Sequence, residues 1–150
     1  RRSSILDRTS KIYRQVWESA AFAGFLTGRE AARRMVVRGR GTIIFTGATA
    51  SMRGGANFAS FAGAKHALRA LAQSMARELG PEGVHVGHII VDGMIDSEAV
   101  RNKFPDAADA LPEGGMLNAD HIADAYWAMH AQPRDAWTFE MDIRPAVEHW

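Results

Sequence analysis

A chain of 150 residues and 16.4 kDa is enough for one domain and too short for two of ordinary size. Its 18 Lys+Arg against 17 Asp+Glu leave a formal charge of +1, so no global field recruits nucleic acid or a membrane surface. The lack of cysteine excludes a disulfide scaffold, a thiolate zinc site and a cysteine nucleophile, while 47% hydrophobic and 23% charged residues exclude wholesale disorder.

Arg1-Arg2-Ser3-Ser4-Ile5-Leu6-Asp7 has neither the apolar stretch of a signal peptide nor an initiator Met, and the start reads as cut from a longer chain. No apolar run approaches the roughly 20 residues that span a bilayer, so a soluble, cytoplasmic domain is expected. From Ser10 to Arg38, Ile12, Val16, Ala20, Phe22, Phe25, Leu26, Ala31 and Met35 recur at helical spacing, with Ser10 as N-cap. Arg29, Arg33, Arg34, Arg38 and Arg40 crowd its end. Cations there complement the helix dipole and solvate the surface, which is preferred to a nucleic-acid patch. Gly39-Arg40-Gly41 breaks the helix, and Thr42-Ile43-Ile44-Phe45-Thr46 reads as a strand buried on both faces.

A glycine-rich loop from Gly47 to Gly55 leads into a helix from Phe58 to Leu79. Its apolar face carries Phe61, Ala64, Leu68, Leu71 and Met75, and a second stripe of Ala59, Gly63, Ala67, Ala70 and Ser74 is small. Gly80-Pro81 stops it, Val84 to Val91 is a second central strand, and Asp92-Gly93 ends that. Met94 to Leu117, interrupted by Pro105, Pro112, Gly114 and Gly115, reads as an irregular lid or binding segment, or as a mobile loop. Asn118 or Asp120 caps a helix reaching Gln132, and Trp137, Phe139, Met141 and Ile143 alternate as a last strand. Strands separated by helices require right-handed crossovers, hence an α/β fold with a parallel sheet. Three strands leave both edges of such a sheet open, so something else should cover the first.

Thr46-Gly47-Ala48-Thr49-Ala50-Ser51-Met52-Arg53 is a poor phosphate cradle, because Ser51 and Arg53 stand where close backbone approach wants glycine. Taken with the helix opening Phe61-Ala62-Gly63-Ala64-Lys65, however, this block resembles the short-chain dehydrogenase/reductase family, in its C-terminal half. Phe25-Leu26-Thr27-Gly28-Arg29-Glu30-Ala31-Ala32 resembles the family's preceding helix. Glu78-Leu79-Gly80 and the strand after it keep the family's rhythm.

The resemblance implies a Rossmann-like fold, NAD or NADP as cofactor, and oxidoreduction of a small-molecule carbonyl or alcohol substrate. In the family a Ser orients the substrate oxygen, a Tyr exchanges a proton with it, and a Lys four residues on lowers the Tyr pKa and holds the nicotinamide ribose. Here Lys65 matches the Lys, Phe61 stands at the Tyr position, Ala48 at the Ser position and Ala20 at that of an active-site Asn. A phenyl ring has no proton to give, and an alanine has no hydroxyl. Thr49 and Ser51 lie close enough for a shifted loop to supply one. Asp92 replaces the family's Pro after the strand. It either caps the turn with Gly93, the preferred reading, or supplies the lost acid at the strand's carboxyl end. Ser97 stands in for a Thr that contacts the nicotinamide amide, with Ile95 beside it and Thr46 walling the ring. The family's glycine-rich first turn is not among these residues, so this stretch alone is expected to bind a dinucleotide weakly.

On residue type alone, Lys65 is a solvated surface lysine, Phe61 a core aromatic, and the six histidines ordinary. His85 and His88, three apart on a strand, face opposite sides and cannot chelate one metal, so no metal is expected. The resemblance also implies a homo-oligomer through helices 10–38 and 58–79. Three functions stay open: a divergent oxidoreductase, a catalytically inactive interaction module, and non-redox chemistry in the old pocket using Asp92.

Overall fold

The structure, a computed structural model, describes residues 3–148. It opens with α1 (Ser10–Trp17), a π-helical turn (Glu18–Phe22) and α2 (Ala23–Arg38), so the expected single helix is one rod with a wider turn inside it. Thr9, not Ser10, is the N-cap, its hydroxyl accepting from the Ile12 amide at 3.3 Å. Gly39 ends α2 in the left-handed region at φ 63°, where an L side chain is strained. Arg29 and Arg33 pair on the surface with Glu30.

Strands β1 (Gly41–Ala48) and β2 (Val84–Val91) run parallel from Gly41 opposite Val84 to Ala48 opposite Val91, with the crossover helix α3 (Ala59–Leu79) between them. All eight residues of β2 are buried, as its near-continuous apolar run requires of a central parallel strand. β5 (Glu140–Ile143) adds to the other side of β2, in parallel. It is shorter than the expected strand because Trp137 leaves the ladder to stack on the His85 ring, centroids 4.8 Å apart. The outer edge of β1 pairs with no strand among the described residues.

The segment expected to be irregular is built. It holds β3 (Met94–Asp96), α4 (Glu98–Lys103), α5 (Pro105–Asp109) and β4 (Met116–Asn118), with β3 and β4 paired in parallel. Pro105 disguised it: at the first position of a helix its missing N–H costs nothing, so it starts α5 instead of breaking structure. α6 (Ala119–His130) follows, capped by the Asn118 side chain.

The sheet divides the core in two. Ile43, Phe45, Val84 and Val86 pack on α2 and α3 through Ala32, Leu68, Ala72 and Met75. Ile89, Val91 and Met129 centre the α6 side. The small-residue stripe of α3 is partly used inside the chain, since a Cβ at Gly63 would lie 2.8 Å from the Tyr13 hydroxyl.

On the α3 side, three residues distant in sequence close a charged cluster. Arg69 donates two hydrogen bonds to Glu140, at 2.6 and 2.8 Å, and Glu140 also accepts from the Nδ1 of the fully buried His88 at 2.9 Å. Burial pushes the His88 pKa down against the opposing pull of Glu140, and the Arg69 guanidinium holds the Glu140 carboxyl below its usual range. The unfolded chain therefore takes up protons at His88 before the folded one does. Stability is full above the ordinary histidine value of 6.5 and falls as pH drops through it, and Glu140 adds a second loss in more acid solution. Urea midpoints should decline from pH 7 to pH 5 (about the lower edge of histidine titration), and His88→Gln, which can still donate to Glu140, should flatten that decline. Equal slopes in both proteins would place the titration elsewhere.

Candidate functional site

Ligands of parallel α/β sheets sit beyond the carboxyl ends of the strands, and in this chain those ends are Ala48, Val91 and Ile143. After β1 the chain turns through Thr49–Ser51, pinned by the fully buried Ser51, whose hydroxyl oxygen accepts from the Ala48 amide at 3.1 Å. Ser51 is thus a turn fastener, not a stand-in for a lost active-site hydroxyl. Thr49 is different: its hydroxyl donates to Oδ1 of Asp92.

Asp92 is 5% exposed, and Nη1 of Arg144 lies 3.5 Å from its other oxygen. The preferred reading of Asp92 as a cap on the Gly93 turn is corrected here. Its carboxylate reaches across to the end of β1, because the register of β1 and β2 sets the two strand ends level.

Thr49 and Asp92 open into a cavity of about 500 Å³ whose wall includes Ala48, Arg53, Phe58 and Phe61. Phe61 is 38% exposed, which corrects its reading as a core aromatic. The helical period placed it on the apolar face, but its ring lines a cavity instead of packing in the core. A second cavity of about 400 Å³ shares Phe58, Phe61 and Met94 with the first and is also lined by Arg8, Val16, Asn57, Ser60 and Phe104. The segment after β2 roofs both, since Phe104 and Ala107 line the second cavity while Leu111 and Gly115 line the first.

Lys65 lies one turn along α3 with its Nζ 5.8 Å from the centre of the Phe61 ring, so the two side chains share a surface as the i, i+4 spacing demands. Its ammonium donates to the Thr46 carbonyl at 2.8 Å, and burial lowers its pKa. This is not the solvated lysine of the residue-type reading. The Thr46 hydroxyl points to the opposite face of the sheet, 2.6 Å from the Tyr126 hydroxyl, and burial raises the Tyr126 pKa.

The remaining expected positions scatter. Ser97 is the N-cap of α4, its oxygen accepting from the Val100 amide at 3.3 Å. The Ile95 side chain packs into the α6-side core. Ala20 sits in the π-helical turn and lines neither cavity. Tyr126, Arg144, and the pairing of Thr49 with Asp92 were not foreseen as a set, although the carboxylate at a central strand end was a legible signal.

Among the described residues no group of three or more histidine and carboxylate side chains is placed to hold a metal. No helix among them is long and apolar enough to cross a membrane.

Known proteins agree with this architecture. The crystal structure of a short-chain dehydrogenase from Rhodopseudomonas palustris is 47% identical and superposes with a TM-score of 0.76, covering 97% of this chain and 57% of its own. The short chain aldehyde dehydrogenase 1 of Euphorbia lathyris is 26% identical over 125 residues, 80% of this chain and 43% of that protein. The cis-2,3-dihydrobiphenyl-2,3-diol dehydrogenase of Rhodococcus globerulus is 30% identical over 134 residues, 80% of this chain and 47% of that one. The chain thus spans about half the length of the curated relatives it matches. Residues 1–108 fit the family pattern described as short chain dehydrogenase, and on that match the chain belongs to the short-chain dehydrogenase/reductase family.

Proposed function

We propose that these residues form the nicotinamide-facing half of an NAD(P)-dependent oxidoreductase acting on a carbonyl or alcohol, in which Thr49 and Asp92 handle the proton. The observation that carries this reading is the hydrogen bond from Thr49 to the buried Asp92, in a cavity whose wall also holds Ala48, Phe61 and the charged Arg53 and Glu148. Where the family uses Ser and Tyr, this chain offers a methyl and a phenyl group. The hydroxyl and the ionisable group stand instead at the ends of β1 and β2.

The donor set suits a nicotinamide riboside in part. One N–H of Lys65 is held by the Thr46 carbonyl, which aims the ammonium and leaves its other protons for a sugar diol. Ser97 spends its oxygen on capping α4 and keeps its proton to donate to an amide. When bound, the dinucleotide accepts or supplies the electron pair of the substrate C–H bond. In the oxidative direction, the substrate hydroxyl gives its proton to Thr49 Oγ1 as the Thr49 proton passes to Asp92. In reduction both transfers reverse. Arg144 places a cation beside the Asp92 carboxylate, which is itself nearly buried.

A second reading, association without turnover, has its own support. Trp17, Phe22 and Phe25 form a stacked run along the first helical rod, each at least 38% exposed. Contiguous apolar surface of this kind marks an interface, and a second copy meeting it through helices 10–38 and 58–79 fits the open part of the α3 stripe.

The readings separate experimentally in the intact protein. Asp92→Asn should lower kcat for carbonyl reduction by roughly 10²–10⁴-fold with little change in NAD(P)H affinity, and Thr49→Val should act in the same direction. Unchanged turnover in Asp92→Asn would move the proton elsewhere. Phe22→Asp with Phe25→Asp should shift sedimentation towards a monomer, and an unshifted profile would remove this face from the contact.

A further inference from the structure

The arginines that crowd the end of α2 do not share one fate. Arg29 and Arg33 pair with Glu30 on the surface. Arg38 and Arg40 instead line a cavity of about 490 Å³ at the amino ends of β1 and β2, where Arg134 joins them from the loop after α6. Gly83, at φ 84°, permits the close approach: a Cβ there would lie 2.2 Å from the Gly39 carbonyl oxygen and 3.0 Å from Nη2 of Arg134. Arg134 is thus held against the turn that carries Arg38 and Arg40. Both strands span eight residues, so this cavity lies roughly 25 Å, at the usual rise per residue, from Thr49 and Asp92 at their other ends.

The charge here is unbalanced in a chain whose total is +1. No carboxylate lines the cavity, and none of its three arginines forms an ion pair among the described residues. Glu82 and Asp135 neighbour Gly83 and Arg134 in sequence but are not part of the wall. Arg134 has one long hydrogen bond, to the Pro81 carbonyl at 3.5 Å. The other polar side chains are engaged: His130 with Thr42 at 2.9 Å, Gln132 with Thr138, and His85 through Nε2 with the Thr138 carbonyl at 2.8 Å. What opposes the arginines is the backbone. α2 and α6 both end here, and each helix C-terminus is equivalent to about half a negative charge. Two such ends answer about one guanidinium of the three and leave about two positive charges unanswered.

We propose that this cavity binds a tetrahedral dianion, a phosphate either free or carried by a small organic molecule. A phosphate monoester holds close to two negative charges at neutral pH, and its oxygens match the fork of a guanidinium. The volume exceeds what phosphate alone needs and lies within the range of small-molecule pockets. Trp137, its ring parallel to that of His85 at 4.8 Å, gives an organic body an apolar wall. None of these residues lines the cavity of Thr49 and Asp92, so the anion is a second ligand and not the reacting one.

Isothermal titration calorimetry on the intact protein at low ionic strength tests this with phenyl phosphate, inorganic phosphate and phenyl sulfate. Phenyl phosphate should bind at a single site, and phenyl sulfate, of the same shape with one charge, more weakly. Added salt should weaken both, because exposed charges are screened. Arg40→Ala and Arg134→Ala, at exposed side chains whose loss leaves the core intact, should each weaken phenyl phosphate by about tenfold or more, the worth of one hydrogen bond to a charged group. Arg33→Ala removes the same charge outside the cavity and should leave binding unchanged. Phenyl phosphate binding tighter than inorganic phosphate identifies a phosphorylated organic ligand, and inorganic phosphate binding as tightly or tighter identifies free phosphate; both support the site. No binding of millimolar phenyl phosphate, or a loss in Arg33→Ala as large as in Arg134→Ala, would overturn it. So would phenyl sulfate binding as tightly as phenyl phosphate, or displacement of phenyl phosphate by NAD.

Discussion

Everything at the carboxyl end of this sheet hangs on the register between β1 and β2. Ala48 sits opposite Val91, so the residues that follow, Thr49 and Asp92, emerge level with each other and within hydrogen-bonding reach. A slip of one residue would reverse the faces of the whole strand and send Phe45 away from α3. The register is held by burial on both sides of β2: Val84 and Val86 are locked against α2 and α3, and Ile89 and Val91 against α6. The cluster of Arg69, Glu140 and His88 then fastens β5 to the same frame through α3. The placement of Thr49 and Asp92 is therefore a consequence of core packing, and strand ends so held are more rigid than a loop would be.

What the sequence revealed, and what it hid, follows from how local each signal is. The β-branched run around Ile43, the all-apolar β2 and the periodic α3 are short-range patterns, and they were legible to within a residue or two. Family resemblance added the pairing of Phe61 with Lys65, because four residues on a helix fix a common face. The segment after β2 was hidden because Pro105 and Gly114 look like breakers, whereas one starts a helix and the other closes a turn. Phe61 misled for the reverse reason: its spacing is that of a core residue, but its ring lines cavities that spacing along the helix does not reveal. Arg69 and Glu140 lie 71 residues apart and His88 and Glu140 52 apart, distances at which no periodicity connects them. Asp92 was visible as a carboxylate at a strand end, but its partner Thr49 follows the neighbouring strand, so only the register could show that it pairs across the strand ends.

The electrostatics around Lys65 follow from the ring that it faces. Beside a phenol, an ammonium favours the phenolate. Beside Phe61 it meets only the ring's quadrupole at 5.8 Å, an interaction of modest strength that is indifferent to protonation of the substrate. Burial works against the Lys65 charge, and its hydrogen bond to Thr46 offsets part of that penalty. What remains for Lys65 is orientation: a donor fixed at the lip of β1, suited to hydroxyls that need placing and unable to tune an acid that is not there.

Phe61 is where the chemistry and the selectivity of the site become one question. A phenyl ring at this position offers no proton donor to the first cavity and, by the same token, adds apolar surface to the second. A site that kept a tyrosine would have to satisfy its hydroxyl whenever a ligand excluded water, which favours ligands with acceptors near the ring. With phenylalanine that demand disappears, and burying hydrocarbon against Phe58, Phe61 and Phe104 becomes favourable at about 25 cal/mol per Å² removed from water. The same exclusion of water lowers the local dielectric around Thr49 and Asp92, so that a single hydrogen-bonded carboxylate exerts more influence on a substrate oxygen than it would in a wet cleft. A ligand that excludes water would thus strengthen the pull of this hydrogen-bonded pair on a bound oxygen, and a strongly hydrated one would weaken it.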